Sequence, residues 1–231
     1  MEMTGRRMRQ LAGGAVLIAL LSACSSGQEK NQTTAVFSGL LDLVTGSGKS
    51  GGGTPPSAAQ IDKAIGASED PLALATRVDN GAWSFLIQIE ENGDYRTFAS
   101  PARQTVVFRH GVVTSTRGLG GDLASSDLDG VLPLIRGRQS GQARRIMRFL
   151  DGENATRSFD FTCNIKAAEG TETVTSGEIE VAVTSVTESC RSVQGWQIDN
   201  VYKVDAEGEV VASSQWLGPT NGDFSIRLLK R

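Results

Sequence analysis

Few side chains in this sequence can do covalent chemistry: three cysteines and one histidine in 231 residues. The first cysteine says most. Leu21-Ser22-Ala23-Cys24 follows a basic opening (Arg6, Arg7, Arg9) and an apolar run from Leu11 to Leu21. That order is the layout of a secretory signal peptide. Its ending, small residues leading straight into a cysteine, is the bacterial lipobox. The chemistry it predicts is diacylation of the Cys24 thiol, with palmitate-type chains, and cleavage before that residue. Acylation of the new amine usually follows. The apolar run is about half the roughly 20 residues a membrane-spanning helix needs, so a transmembrane anchor is the weaker reading. Each buried CH₂ contributes about 0.8 kcal/mol, and one chain anchors only marginally. Two or three chains on one cysteine would hold the protein at a membrane. Serine rather than aspartate at position 25 predicts transfer to the outer membrane, on its periplasmic face.

The other two cysteines, Cys163 and Cys190, form an even pair in an oxidising compartment. Such a pair reads as a disulfide, the alternative being two buried free thiols. The pair flanks a hairpin-like segment, so a bond would pin neighbouring strands with Cα atoms within about 7 Å. His110 stands alone before Gly111 in a predicted hairpin turn. With no second histidine, a His-rich zinc site has no support, and no Gly-x-Ser-x-Gly elbow accompanies a triad. Gly118-Leu119-Gly120-Gly121-Asp122 could turn backbone N–H groups towards an anion, but lacks the spacing of a phosphate loop. A tight turn is the simpler reading. Asp122, Asp127 and Asp129 raise a calcium or glycosidase idea, which requires two carboxylates placed across a cleft. No catalytic residue, metal or cofactor is expected. The best electrostatic feature is the set Arg136, Arg138, Arg144, Arg145 and Arg148. It is either a solvated, salt-bridged face or a contact for anionic sugar or an acidic partner through bidentate pairs. Trp83, Trp196 and Trp216 are read as core anchors before sugar platforms.

These residues need positioning. Residues 1–23 form the signal peptide, and their removal takes the formal charge from −3 to −5, with 20 basic against 25 acidic residues. An acidic chain is a poor partner for nucleic acid. Residues 24–57 read as the lipidated cysteine and a tether, flexible through Gly46–Gly53 and stiffened at Pro55-Pro56. A patch of Val36, Phe37, Leu40, Leu41 and Val44 interrupts it at helical spacing, as a docked helix or a membrane contact. Residues 58–231 are the expected domain. Ser57 caps a short helix through about Ala67. Strands are predicted over 83–89, 95–100, 104–109, 112–116, 156–167, 177–189, 196–205, 209–216 and 224–229, with turns at Asn92-Gly93, His110-Gly111 and Glu207-Gly208. Residues 142–150 are a strand or short helix, and Ser126–Arg136 carries a helical turn or two, limited by Pro133. Nine to eleven strands with short polar turns make an all-β, antiparallel, barrel-like or sandwich domain with short helices.

Two stretches carry a resemblance. Val107-Phe108-Arg109-His110-Gly111-Val112-Val113 is followed by Gly118-Leu119-Gly120-Gly121-Asp122-Leu123. Near the end stand Asn200-Val201-Tyr202-Lys203-Val204-Asp205 and Ser213-Ser214-Gln215-Trp216-Leu217-Gly218-Pro219. In that order, with the lipobox, the chain resembles the YjbF/GfcB family of lipoproteins linked to exopolysaccharide and group 4 capsule production. Lys203 departs from relatives that carry Trp there. The resemblance implies a barrel-like fold, no known catalytic residue, and a role in polysaccharide secretion. The expected protein is a non-enzymatic accessory lipoprotein held at the membrane by its lipid, with polysaccharide or secretion-machinery proteins as partners. A polysaccharide-modifying enzyme and a structural envelope lipoprotein are the alternatives.

Overall fold

The computed structural model describes residues 53–150 and 155–231. Cys24, the patch from Val36 to Val44, the glycine run up to Gly52 and the turn at 151–154 lie outside the described residues.

Helix α1 (Ala58–Ala67) opens with a reciprocal cap. The Gln60 N–H donates to Ser57 Oγ at 3.3 Å, and the Ser57 N–H donates to Gln60 Oε1 at 2.9 Å. Among the described residues thirteen strands follow, interrupted by one further helix, α2 (Leu132–Arg136). They are β1 (Leu72–Arg77), β2 (Trp83–Asn92), β3 (Tyr95–Ala99), β4 (Thr105–Arg109), β5 (Val112–Arg117) and β6 (Leu123–Asp127), then, after α2, β7 (Gly141–Leu150) and β8 (Thr156–Ala167). The last five are β9 (Glu172–Ser176), β10 (Ile179–Ser192), β11 (Gln197–Val204), β12 (Val210–Trp216) and β13 (Asp223–Lys230).

Every pairing is antiparallel, in the order β5-β4-β3-β2-β1-β13-β12-β11-β10-β8-β7-β6, with β9 attached to the first part of β10. The sheet curls into a nearly closed barrel, as expected. Three strands were not anticipated: β1, β6 and β9. Residues 142–150 are a strand, β7.

Nearly every strand lies beside its sequence neighbour. The closure has two parts. Strands β1 and β13 are joined by a ladder from Leu72 opposite Lys230 to Arg77 opposite Phe224. Strands β5 and β6 end the sheet and face each other without a ladder. There side chains do the bridging: Leu123 N–H donates to Thr116 Oγ1 at 3.0 Å, and Arg117 Nη1 donates to Leu123 O at 3.2 Å. Gln215 covers part of the β5 edge. It accepts from Val113 N–H at 2.9 Å and donates to Gly111 O at 3.0 Å, as a neighbouring strand would.

Strand register fixes which side chains face inward. Ser213 lies opposite Ile226, and Ile226 opposite Ala75; Leu228 lies opposite Ala73, and Ala73 opposite Leu86. Ala73, Ala75, Leu86 and Ile226 belong to the main core inside the barrel, and Leu228 packs against it. A smaller core lies outside the wall, where α1 covers Leu72, Leu74, Phe85, Ile87 and Leu229 with Ala64 and Ile65. The barrel has two distinct ends. Trp83 Nε1 donates to Thr54 O at 2.8 Å, so the chain joins at the end that carries the β1–β2 turn. The β2–β3, β4–β5 and β11–β12 turns and Arg231 lie at the other end.

Candidate functional site

The arginine-rich stretch does not form one surface. Arg136 Nε donates to Gly208 O at 3.3 Å and Arg138 donates to Asp205 O, so both hold the β11–β12 turn. On β7, Arg144 pairs with Asp160 of β8. That hydrogen-bonded contact lowers the Asp160 carboxyl below its usual range and raises the guanidinium. Arg148 reaches Ser125 Oγ at 3.5 Å. Arg145 departs from the expected binding face: it is 2% exposed, out of reach of a polymer or partner. The reason is parity. Along β7 the residues 145, 147 and 149 face inward, so Arg145 stands in the row of Met147 and Phe149.

Inside the barrel Arg145 belongs to a polar cluster that the arginine count concealed. Glu188 Oε2 accepts from Arg145 Nη1 at 2.7 Å, Tyr202 OH at 2.7 Å and Asn200 Nδ2 at 2.8 Å. Arg145 Nε donates to Ser126 Oγ at 3.0 Å, and Asn200 Oδ1 accepts from the Trp216 N–H at 2.8 Å. Burial, then Glu188, pushes the Tyr202 phenol well up, so it remains a donor. For Arg145 burial acts downward, but Glu188 and Tyr202 outweigh it and the net shift is up. The available signal was Glu188 at the inward parity of β10, between Val186 and Cys190.

Cys163 and Cys190 are directly opposite in the β8–β10 ladder and bonded, with Cα atoms 3.9 Å apart. Their sulfurs and the Glu188 carboxylate lie within 4.8 Å of one another, the one such grouping of possible metal ligands among the described residues. A disulfide leaves no thiolate for a metal, so this trio is structural.

His110 and Gly111 have φ of 51° and 78°, the two positive values a type I′ hairpin turn demands. The turn docks on β12. Val210 N–H donates to His110 O at 3.2 Å, and a Cβ on Gly111 would meet Val210 O at 2.4 Å. His110 Nδ1 pairs with Glu209. The glycine loop after β5 is already filled by its own carboxylate. Asp122 accepts from Gly118 N–H at 2.8 Å, Leu119 N–H at 3.0 Å and Thr116 Oγ1 at 3.1 Å. Asp127 accepts from the Asp129 N–H at 3.2 Å, and Asp129 pairs with Arg109 at 3.1 Å. The three carboxylates therefore do not converge. Trp216 is buried, while Trp196, 40% exposed, packs on Phe159 and Trp216. Trp83 packs edge-on against Phe85.

A concave site lies at the barrel end away from Thr54. It is a cavity of about 330 Å³. Ala73, Phe98, Phe108, Ile226 and Leu228 form its apolar walls, and Gln88 and Ser213 add polar groups. Glu91, Arg96, Glu207, Glu209 and Arg231 also line it. Register places Gln88 opposite Phe98 and Arg96 opposite Phe108, so adjacent hairpins supply one wall. Gln88 Nε2 donates to Glu91 at 3.1 Å, while its buried Oε1 has no partner among the described residues. Arg96 stands 3.6 Å from Glu91, and Arg231 pairs with the buried Asp205. None of this was read from the sequence, because the site draws single residues from strands far apart in the chain.

Residues 32–229 match the family described as group 4 capsule polysaccharide lipoprotein GfcB, YjbF. Among solved structures the chain is similar to the hypothetical lipoprotein YmcC from Escherichia coli (K12). The TM-score is 0.63 and the identity 19%, over 78% of this chain and 98% of that one. At that identity the likeness is one of fold. No curated protein matches the chain.

Proposed function

The chain belongs to the YjbF/GfcB family of group 4 capsule polysaccharide lipoproteins, and from that premise we propose that it is a non-enzymatic accessory of capsule or exopolysaccharide secretion. In this reading Cys24 carries the lipid, the anchor lies on the periplasmic face of the outer membrane, and the barrel contacts polymer or export machinery. The family match over nearly the whole mature chain is the observation that carries it. The engagement of Asp122, Asp127, Asp129 and His110 adds support, since each already serves a turn or an ion pair.

A clean deletion tests the role. Secreted polymer should fall while cytoplasmic sugar-nucleotide pools stay unchanged, and a Cys24→Ala copy should not restore export. Undiminished polymer in the deletion strain would refute it.

A further inference from the structure

We propose that the cavity at the barrel mouth binds the end of a saccharide chain, one or two sugar residues deep; this rests on the polysaccharide role above and names its contact site. Shape is the first argument. About 330 Å³ lies at the lower end of the roughly 300–1,000 Å³ typical of ligand sites. Past Ser213 the barrel is filled: Gln215 Nε2 donates to Ser213 Oγ at 2.9 Å, and the buried Tyr202 stands opposite Ser213. A dead-ended cavity takes a terminus. A passing polymer would need an open groove.

The lining chemistry is the second argument. Phe98 and Phe108 meet edge to face at 5.4 Å and, with Ile226 and Leu228, offer apolar walls to the C–H faces of a sugar ring. Around them stand carboxylates that accept paired hydrogen bonds and guanidiniums that donate them, the match for neighbouring hydroxyls. Gln88, which lines the cavity, adds a carbonyl oxygen with no partner among the described residues. An acyl chain would suit the walls but would desolvate the charged groups without returning hydrogen bonds. Position agrees: the mouth opens at the end opposite Thr54, where the chain towards Cys24 joins.

The test uses the full-length protein in phospholipid nanodiscs. The probes are oligosaccharides from partial hydrolysis of the producing strain's own capsule polymer, fractionated by length. Titration calorimetry should give one protein per chain at every length. Ser213→Phe, which intrudes on the floor of the cavity, and Arg96→Ala, which alters only its exposed part, should each weaken binding about tenfold or more. Several proteins per chain, no binding at any length, unaltered binding by Arg96→Ala, or displacement by dodecanoate would overturn the inference. Complementation separates it from the broader role. If the deletion lowers polymer yet both variants restore it fully, the cavity inference fails and the secretion role stands. If the deletion leaves polymer normal, the secretion role fails whatever the titrations show.

Discussion

Arg145 gives up its water for Glu188, Tyr202 and Ser126. Such a pair is costly to break and cheap to replace whole, because a lone partner is left as an uncompensated buried charge. Arg145→Met or Glu188→Leu alone should therefore lower the unfolding free energy by about 3–5 kcal/mol. The double variant should lose less than either single one, although Asn200 and Tyr202 would still miss an acceptor. Urea unfolding of the three variants measures this, and a double loss equal to the sum of the singles would disprove the coupling. Tyr202 adds a pH dependence of known sign. Its folded pKa is raised, so its contribution is complete below the ordinary phenol value of 10.0 and is lost as pH climbs through the folded value. The same chemistry shows why residue type misled: five arginines in thirteen positions suggest a surface, but only strand parity decides which one turns inward.

The strands show where pattern reading works. Alternation at Ile179, Val181 and Val183 and the Asn92-Gly93 turn announce strands because one face of each is wet. Strand β1 gave no such sign. Ala73 and Ala75 face the barrel while Leu72 and Leu74 lie under α1, so both faces are apolar and the period vanishes. Strand β6 is short and serine-rich, and β9 pairs with a single neighbour. The cysteine pair was legible because an even number and an expected oxidising compartment sufficed. It also joins two elements whose ladder is otherwise non-covalent. With a separation of 27 residues, the chain-entropy model gives about 3.5 kcal/mol for the bond. Replacing both cysteines by alanine should lower the melting temperature by roughly 10 °C, as followed by circular dichroism. An unchanged melting point would remove the staple from the account.

Across the whole molecule, Thr54 and the mouth lie at opposite ends of the barrel, an arrangement no local stretch of sequence encodes. It follows from an even alternation of strand directions around the wall. The closure holds a further consequence. Read from β6 through β13 and on from β1 to β5, the wall strands run in unbroken cyclic order, with β9 branching from β10. The covalent chain and the hydrogen-bonded sheet are each cut once, at different places. A circular permutant that opens at Gly120 and joins Arg231 to Thr54 would move the first cut onto the second. Its linker must climb about 20 Å, the rise of a six-residue strand, which a flexible segment of roughly 14 residues spans. Every ladder, the cysteine bond and α1 would be retained. The permutant should fold with native circular dichroism and the same disulfide. If it does not, the loop from Gly118 to Asp122 is the clasp without which the two free edges cannot meet.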